Sequence, residues 1–183
     1  MPASKLYYSE AMTRHSEDQD QTMRRFIGLS IFTLLSLGCG DGDATPDRAA
    51  EAVVTGQELP TVLVYKSPAC GCCNGWVEHM RAAGFTVDTR DVNDIMRVKQ
   101  DGGVPVSMSS CHTSLVDGYV VEGHVPADQV KRLLAERPEI AGIAAPGMPI
   151  GSPGMEGPNA QPYEILSFTH SGEAAVFAEV DPR

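Results

Sequence analysis

The chain has 183 residues, 42% of them hydrophobic, and its 14 Lys/Arg stand against 24 Asp/Glu for a formal net charge of −10. That length suits one modest domain with appendages, and an acidic chain without a basic block is repelled by phosphate backbones and anionic headgroups, which argues against nucleic-acid binding and polybasic membrane attachment. The unusual feature is the cysteines: three of the five fall within four positions, as Cys70-Gly71-Cys72-Cys73.

Residues 1–22 are polar and mixed in charge, and the three parts of a secretory signal begin only at Met23. They are the basic head Met23-Arg24-Arg25, an apolar run from Phe26 to Leu37 and the small-residue exit Gly38-Cys39-Gly40. The run is well short of the ~20 residues that a spanning helix needs. Cys39, directly after a small residue, resembles the lipidated cysteine of bacterial lipoproteins, although Ser36 and Leu37 depart from the usual residues before it. The expectation is therefore a translation start at Met23, an extension over 1–22, a secretory or lipoprotein signal over 23–39, lipid attachment at Cys39 and a periplasmic destination. Residues 40–183 keep ten Lys/Arg and twenty Asp/Glu, so the whole −10 belongs to the exported part. Its four remaining cysteines, Cys70, Cys72, Cys73 and Cys111, enter an oxidising compartment, where thiols are paired, metal-bound or cycled.

Residues 40–59 are small and acidic with no sustained apolar periodicity, a linker by composition. The folded domain is expected over 60–183. Thr61 to Tyr65 is a continuous β-branched and aromatic run, as in a strand buried on both faces. From Asn74 to Ala83, Trp76, Val77, Met80 and Ala83 have helical spacing, and Gly84 supplies a left-handed stop. Phe85 to Thr89 alternates like a strand, and Asn93 to Gln100 reads as a second helix. After Val104-Pro105, Leu115 to Glu122 forms a hairpin arm turning at Asp117-Gly118. Pro126 opens a third helix that Pro138 bounds. Residues 144–162 are too rich in proline and glycine for a helix or strand interior, and Tyr163 to Phe168 with Ala174 to Val180 form a closing hairpin. Strand, helix, strand, helix, Val-Pro, hairpin, helix resembles the order of the thioredoxin-like α/β fold over about residues 60–137. In that fold the proline is cis and its loop faces the cysteines, so the resemblance predicts a cis Val104-Pro105 bond, with Pro105 shaping the site.

Cys70 and Cys73 form a C-x-x-C at a helix amino terminus, where exposed N–H groups favour thiolate, an arrangement suited to dithiol redox chemistry. Cys72 between them offers a competing partner. If Cys111 lies on the strand after Pro105, four sulfurs converge, a ligand set for a soft or borderline metal. Zinc prefers well-spaced tetrahedral ligands, whereas Cu(I) accepts two or three thiolates and tolerates bridging, so a multinuclear copper-thiolate site is the preferred reading of C-x-C-C. A pair of structural disulfides is the alternative.

The strings Tyr65-Lys66-Ser67-Pro68-Ala69-Cys70-Gly71-Cys72-Cys73, Trp76-Val77-Glu78-His79-Met80, Gly103-Val104-Pro105, Ser110-Cys111-His112-Thr113 and Glu122-Gly123-His124-Val125-Pro126 closely resemble the CopG-like periplasmic metal-binding family, as do those around Met148 and Met155. The resemblance spans about residues 60–180. It implies a thioredoxin-like fold, copper bound by the C-x-C-C cysteines with the later cysteine, and a role in copper resistance, with copper ions and copper efflux or periplasmic copper proteins as partners.

His112, adjacent to Cys111, is a candidate ligand for oxidised copper or a proton carrier. His124 could line the same face; His79 is expected to be a partly exposed helix residue and His170 a solvent-facing turn residue. Met148 and Met155 carry soft thioethers that could pass Cu(I) to the cluster, although gap-filling suits them as well. Trp76 reads as core. Two functions compete: a protein that sequesters, delivers or cycles copper through Cys70, Cys72, Cys73 and Cys111, and a thiol-disulfide oxidoreductase in which Cys70 attacks and Cys73 resolves. A module stapled by disulfides is a third.

Overall fold

A computed structural model describes residues 58–183. The extension 1–22, the signal 23–39 with Cys39, and all of the linker but its end lie outside the described residues. Within them the chain runs β1 (Val62–Lys66), α1 (Gly71–Ala82), β2 (Val87–Asp91), α2 (Ile95–Asp101), β3 (Thr113–Val116), β4 (Tyr119–Glu122), α3 (Ala127–Glu136), β5 (Gly142–Ala144), β6 (Tyr163–Phe168) and β7 (Ala174–Val180). The seven strands form one mixed sheet in the order β2-β1-β3-β4-β5-β6-β7. β1 is parallel to β2 and antiparallel to β3, β4 is parallel to β5, and the remaining pairs are antiparallel.

The sheet is covered on both faces, and the two-residue period of a strand decides which side chain goes where. Val116, Val121 and Ile143 join the larger core with Val62, Val64, Trp76, Met80, Val130 and Leu133. Their chain neighbours Leu115, Val120 and Ala144 pack on the other cluster with Val104, Met108 and Phe168. The hairpin between β3 and β4 turns at Asp117 and Gly118, both with positive φ (46° and 88°), which matches the twist of the flanking strands. Gly84 (φ 97°) follows α1 as the expected stop, and Arg137, in the left-handed region, ends α3 before Pro138. The closing hairpin has the expected bounds.

Three expectations are corrected. α1 starts at Gly71 rather than Asn74, which puts Cys72 and Cys73 inside its first turn. No peptide bond among the described residues is cis. Pro105 (φ −60°, ψ 138°) does not open a strand: its carbonyl accepts from Met108 N–H in a short 3-10 turn, Val106–Met108, which seats Met108 in the core, and the chain rejoins the sheet only at Thr113. β5 was not expected; three residues between β4 and β6 complete the sheet without a sequence period of their own.

Candidate metal centre

The sulfurs come from two places. Cys70 is the residue capping the start of α1 and makes no side-chain cap hydrogen bond. Cys70 and Cys72 are half-buried, whereas Cys73 turns into the core and is fully buried. Cys70 and Cys73 are joined as a disulfide, and Cys72 and Cys111 are free thiols. Cys111 sits in the segment that enters β3, and its Sγ lies 3.9 Å from Cys72 Sγ, which is itself 3.5 Å from Cys70 Sγ. All four sulfurs lie within 4.8 Å of one another. The convergence expected of the four cysteines is therefore present, with Cys111 delivered by a loop rather than a strand.

A second group, Cys111, His112 and His124, meets the same distance limit and shares one sulfur with the first. His124 Nε2 lies 2.8 Å from Cys111 Sγ, and His124 Nδ1 lies 2.7 Å from the Pro153 carbonyl oxygen. A carbonyl only accepts, so Nδ1 carries the hydrogen and Nε2 faces Cys111 with its lone pair. His112 is buried with its Nδ1 at 3.8 Å from the same sulfur. Its ring tilts against Trp76 at 4.5 Å and meets His124 edge-on at 5.0 Å, and its Nε2 finds no partner among the described residues. Burial holds His112 well below the ordinary imidazole range, with the charges of His124 and Lys99 acting the same way. Burial also lowers His124, against the pull of the Pro153 carbonyl and Glu156. The Cys111 thiol is pushed up to about 11, first by burial and then by the neighbouring Cys72.

The proline- and glycine-rich segment closes the site from above α1. A Cβ on Gly154 (φ 82°) would stand 2.5 Å from the Cys72 carbonyl oxygen and 2.6 Å from Trp76 N, and one on Gly75 would stand 2.9 Å from Gly154 Cα. Two backbones thus meet beside Cys72 with no room for a side chain. Met148, on this segment, is 55% exposed and Met155 half-buried. His79 belongs to neither ligand group; its Nε2 accepts from Ala127 N–H at 3.0 Å, at the first turn of α3. His170 is exposed, as expected, and Pro105 is in neither group. Lys99 and Glu122, buried behind the Cys111 segment, carry no motif that singles them out in the sequence.

The donor set fits a soft cation. Thiolates and neutral imidazoles within one small volume suit copper or zinc, and sulfurs this close can bridge. With Cys70–Cys73 closed, the donors are two thiols and the imidazoles; adding two electrons and two protons to that disulfide supplies four thiols.

A family model described as "Protein of unknown function, DUF411" matches residues 108–155. No curated protein matches the chain. Among solved structures, "Copper resistance protein copG- Form 2" is similar at 45% identity and a TM-score of 0.64, over 68% of this chain and 100% of that one. "Copper resistance protein copG- Form 1" is similar at 45% identity and a TM-score of 0.63, over 67% of this chain and 98% of that one.

Proposed function

Because the chain belongs to the DUF411 family, with copper resistance protein CopG, we propose that it binds copper as its cargo in copper resistance, holding Cu(I) between Cys70, Cys72, Cys73 and Cys111. The observation that carries this reading is the convergence of four sulfurs within 4.8 Å of one another. Their crowding favours several bridged Cu(I) ions over one enclosed ion. His124 and His112 adjoin the shared sulfur and are the donors suited to an oxidised Cu(II). In this reading the first part of the domain is thioredoxin-like: the order β2-β1-β3-β4, with α1 leaving the end of β1, supports it. The protein works in the periplasm, with Cys39 as a lipid anchor, and exchanges copper with efflux or periplasmic copper proteins.

Anaerobic Cu(I) titration of the reduced full chain against a chromophoric competitor tests this. Tight uptake of at least one Cu(I) is expected, weakened in Cys72→Ser and Cys111→Ser; reduced protein that leaves all copper with the competitor would sink the reading.

The Cys70–Cys73 disulfide favours a second reading, a thiol-disulfide oxidoreductase. Cys73 is fully buried and Cys70 is not, so an incoming thiolate reaches Cys70 and Cys73 leaves. Insulin reduction that persists in Cys72→Ser and Cys111→Ser would select this reading over copper binding.

A further inference from the structure

Lys99 at the end of α2 and Glu122 at the end of β4 form a salt bridge of 2.5 Å with side chains 2% and 0% exposed. Withdrawing two charges from water carries a desolvation penalty so large that an apolar pair of the same volume is often as stable. Stability alone therefore gives no reason for this pair, and its remaining contacts point elsewhere.

Glu122 Oε2 accepts from Thr113 Oγ1 at 2.7 Å, and Thr113 Oγ1 accepts in turn from Lys99 Nζ at 3.1 Å. Glu122 Oε1, besides Lys99, accepts from the backbone N–H of Ser110 at 2.6 Å. Ser110 precedes β3 and makes only an isolated bridge to Gly147, which leaves its N–H to the Glu122 carboxylate, standing in there for a neighbouring strand. On the far side of Cys111, the His112 carbonyl accepts from Gly123 N–H at 2.9 Å. Cys111 is thus clamped on both sides by consecutive residues of one strand end, Glu122 and Gly123. Gly123 fits there because a Cβ would stand 2.3 Å from Ser110 Oγ.

We propose that the Lys99–Glu122 pair is a positioning element for the sulfur cluster: Glu122, charged and oriented by Lys99, holds Ser110 N–H and so sets Cys111 within reach of Cys72 and His124. A carboxylate makes a stronger acceptor for that N–H than a neutral group, and Lys99 is its ion-pair partner in this buried place. This rests on Cys111 being a ligand, and acts through the backbone rather than by touching the metal.

The test is a cycle in the full chain. Lys99→Met/Glu122→Leu replaces the pair with apolar volume, which is expected to preserve circular dichroism and cooperative unfolding. Cu(I) affinity of the reduced protein is expected to fall about tenfold or more, as when an outer partner of a ligand is removed. Adding Cys111→Ser to that variant is expected to cause little further loss, since the sulfur is already misplaced. Wild-type affinity, or a Cys111→Ser loss as large as in the parent, overturns the proposal.

Should the double variant fail to fold, Ser110→Pro deletes the N–H while leaving the ion pair; Ser109 (φ −61°, ψ 139°) already has the backbone a following proline requires. Ser110→Ala keeps the N–H and is the control. Equal effects of the two overturn the proposal. A metal-free arm separates it from the copper reading: with Cys70–Cys73 closed, site-resolved iodoacetamide labelling of Cys111 is expected to rise relative to Cys72 when the pair or the N–H is removed. If the wild-type protein takes up no Cu(I), the copper reading falls, and an unchanged Cys111-to-Cys72 labelling ratio still overturns the positioning.

Discussion

Three histidines, His79, His112 and His124, are held below the ordinary imidazole range, with burial the leading cause for each. In the unfolded chain they take up protons as the pH drops through about 6.5, while the folded protein resists until its own lower values are reached. The unfolded state then binds more protons, so stability is fully present above that range and is lost as the pH falls. The fully buried His112 adds up to about 1.4 kcal/mol per pH unit of slope while it stays neutral, and the partly exposed His79 adds less. The urea midpoint of the metal-free protein should fall between about pH 7.5 and 5.5, a window above the ordinary carboxylate range. A flat midpoint would contradict the buried-neutral assignment. Replacement of His79 by Gln should remove part of the slope. Residue-level legibility was uneven for a related reason. Cys111 and His112 are chain neighbours and were read together, yet the imidazole nearest the sulfur is that of His124. Its approach depends on the turn at Gly123 (φ 71°) and on the Pro153 carbonyl, twenty-nine residues away. Neither leaves a local pattern.

Among the elements, those with a short-range physical signature were visible in advance. Asp117-Gly118 announces its hairpin because few residues accept two consecutive positive φ angles, and Gly84 marks the end of α1 for the same reason. β5 has no such signature. Gly142-Ile143-Ala144 is a strand because β4 and β6 bond it from both sides, and a Cβ on Gly142 would stand 2.1 Å from the Val120 carbonyl oxygen. Pro105 misled in the opposite direction: Val-Pro resembles a strand opening, but the turn that buries Met108 intervenes. The proline and glycine content of residues 144–162 argues against helix and strand interiors alike without saying where the segment packs, and its packing on α1 shows what the glycines do. Gly154→Ala places a methyl against the Cys72 carbonyl and Trp76 N in a left-handed backbone. Overpacking of this kind costs about 1–3 kcal/mol. Thermal unfolding should report that loss, and Cu(I) affinity should drop with it because the first turn of α1 must shift. Wild-type affinity in a destabilised Gly154→Ala protein would separate the segment from the site.

At the scale of the whole molecule, seven strands in one sheet carry a site confined to one end of α1 and the loops before β3 and after β4. The Cys70–Cys73 bond closes a loop with a sequence separation of 3. By chain entropy such a closure contributes about 2 kcal/mol. Reduction without metal should therefore lower Tm by about 5–10 °C. Cu(I) that binds only the folded form adds about 2.7 kcal/mol at a hundredfold excess over its Kd, so loading the reduced protein should restore Tm. Reduced protein whose Tm ignores copper would show that folding and metal uptake are uncoupled. The formal charge of −10 keeps the chain soluble and attracts cations weakly, without choosing among them. Trp76 remains. It is the chain's single tryptophan, buried within α1 next to the cysteine turn and 4.5 Å from the His112 ring, with its indole N–H bound to the Val125 carbonyl. All intrinsic indole emission therefore originates beside the sulfurs, and the protein carries its own optical gauge of the site, readable without a label.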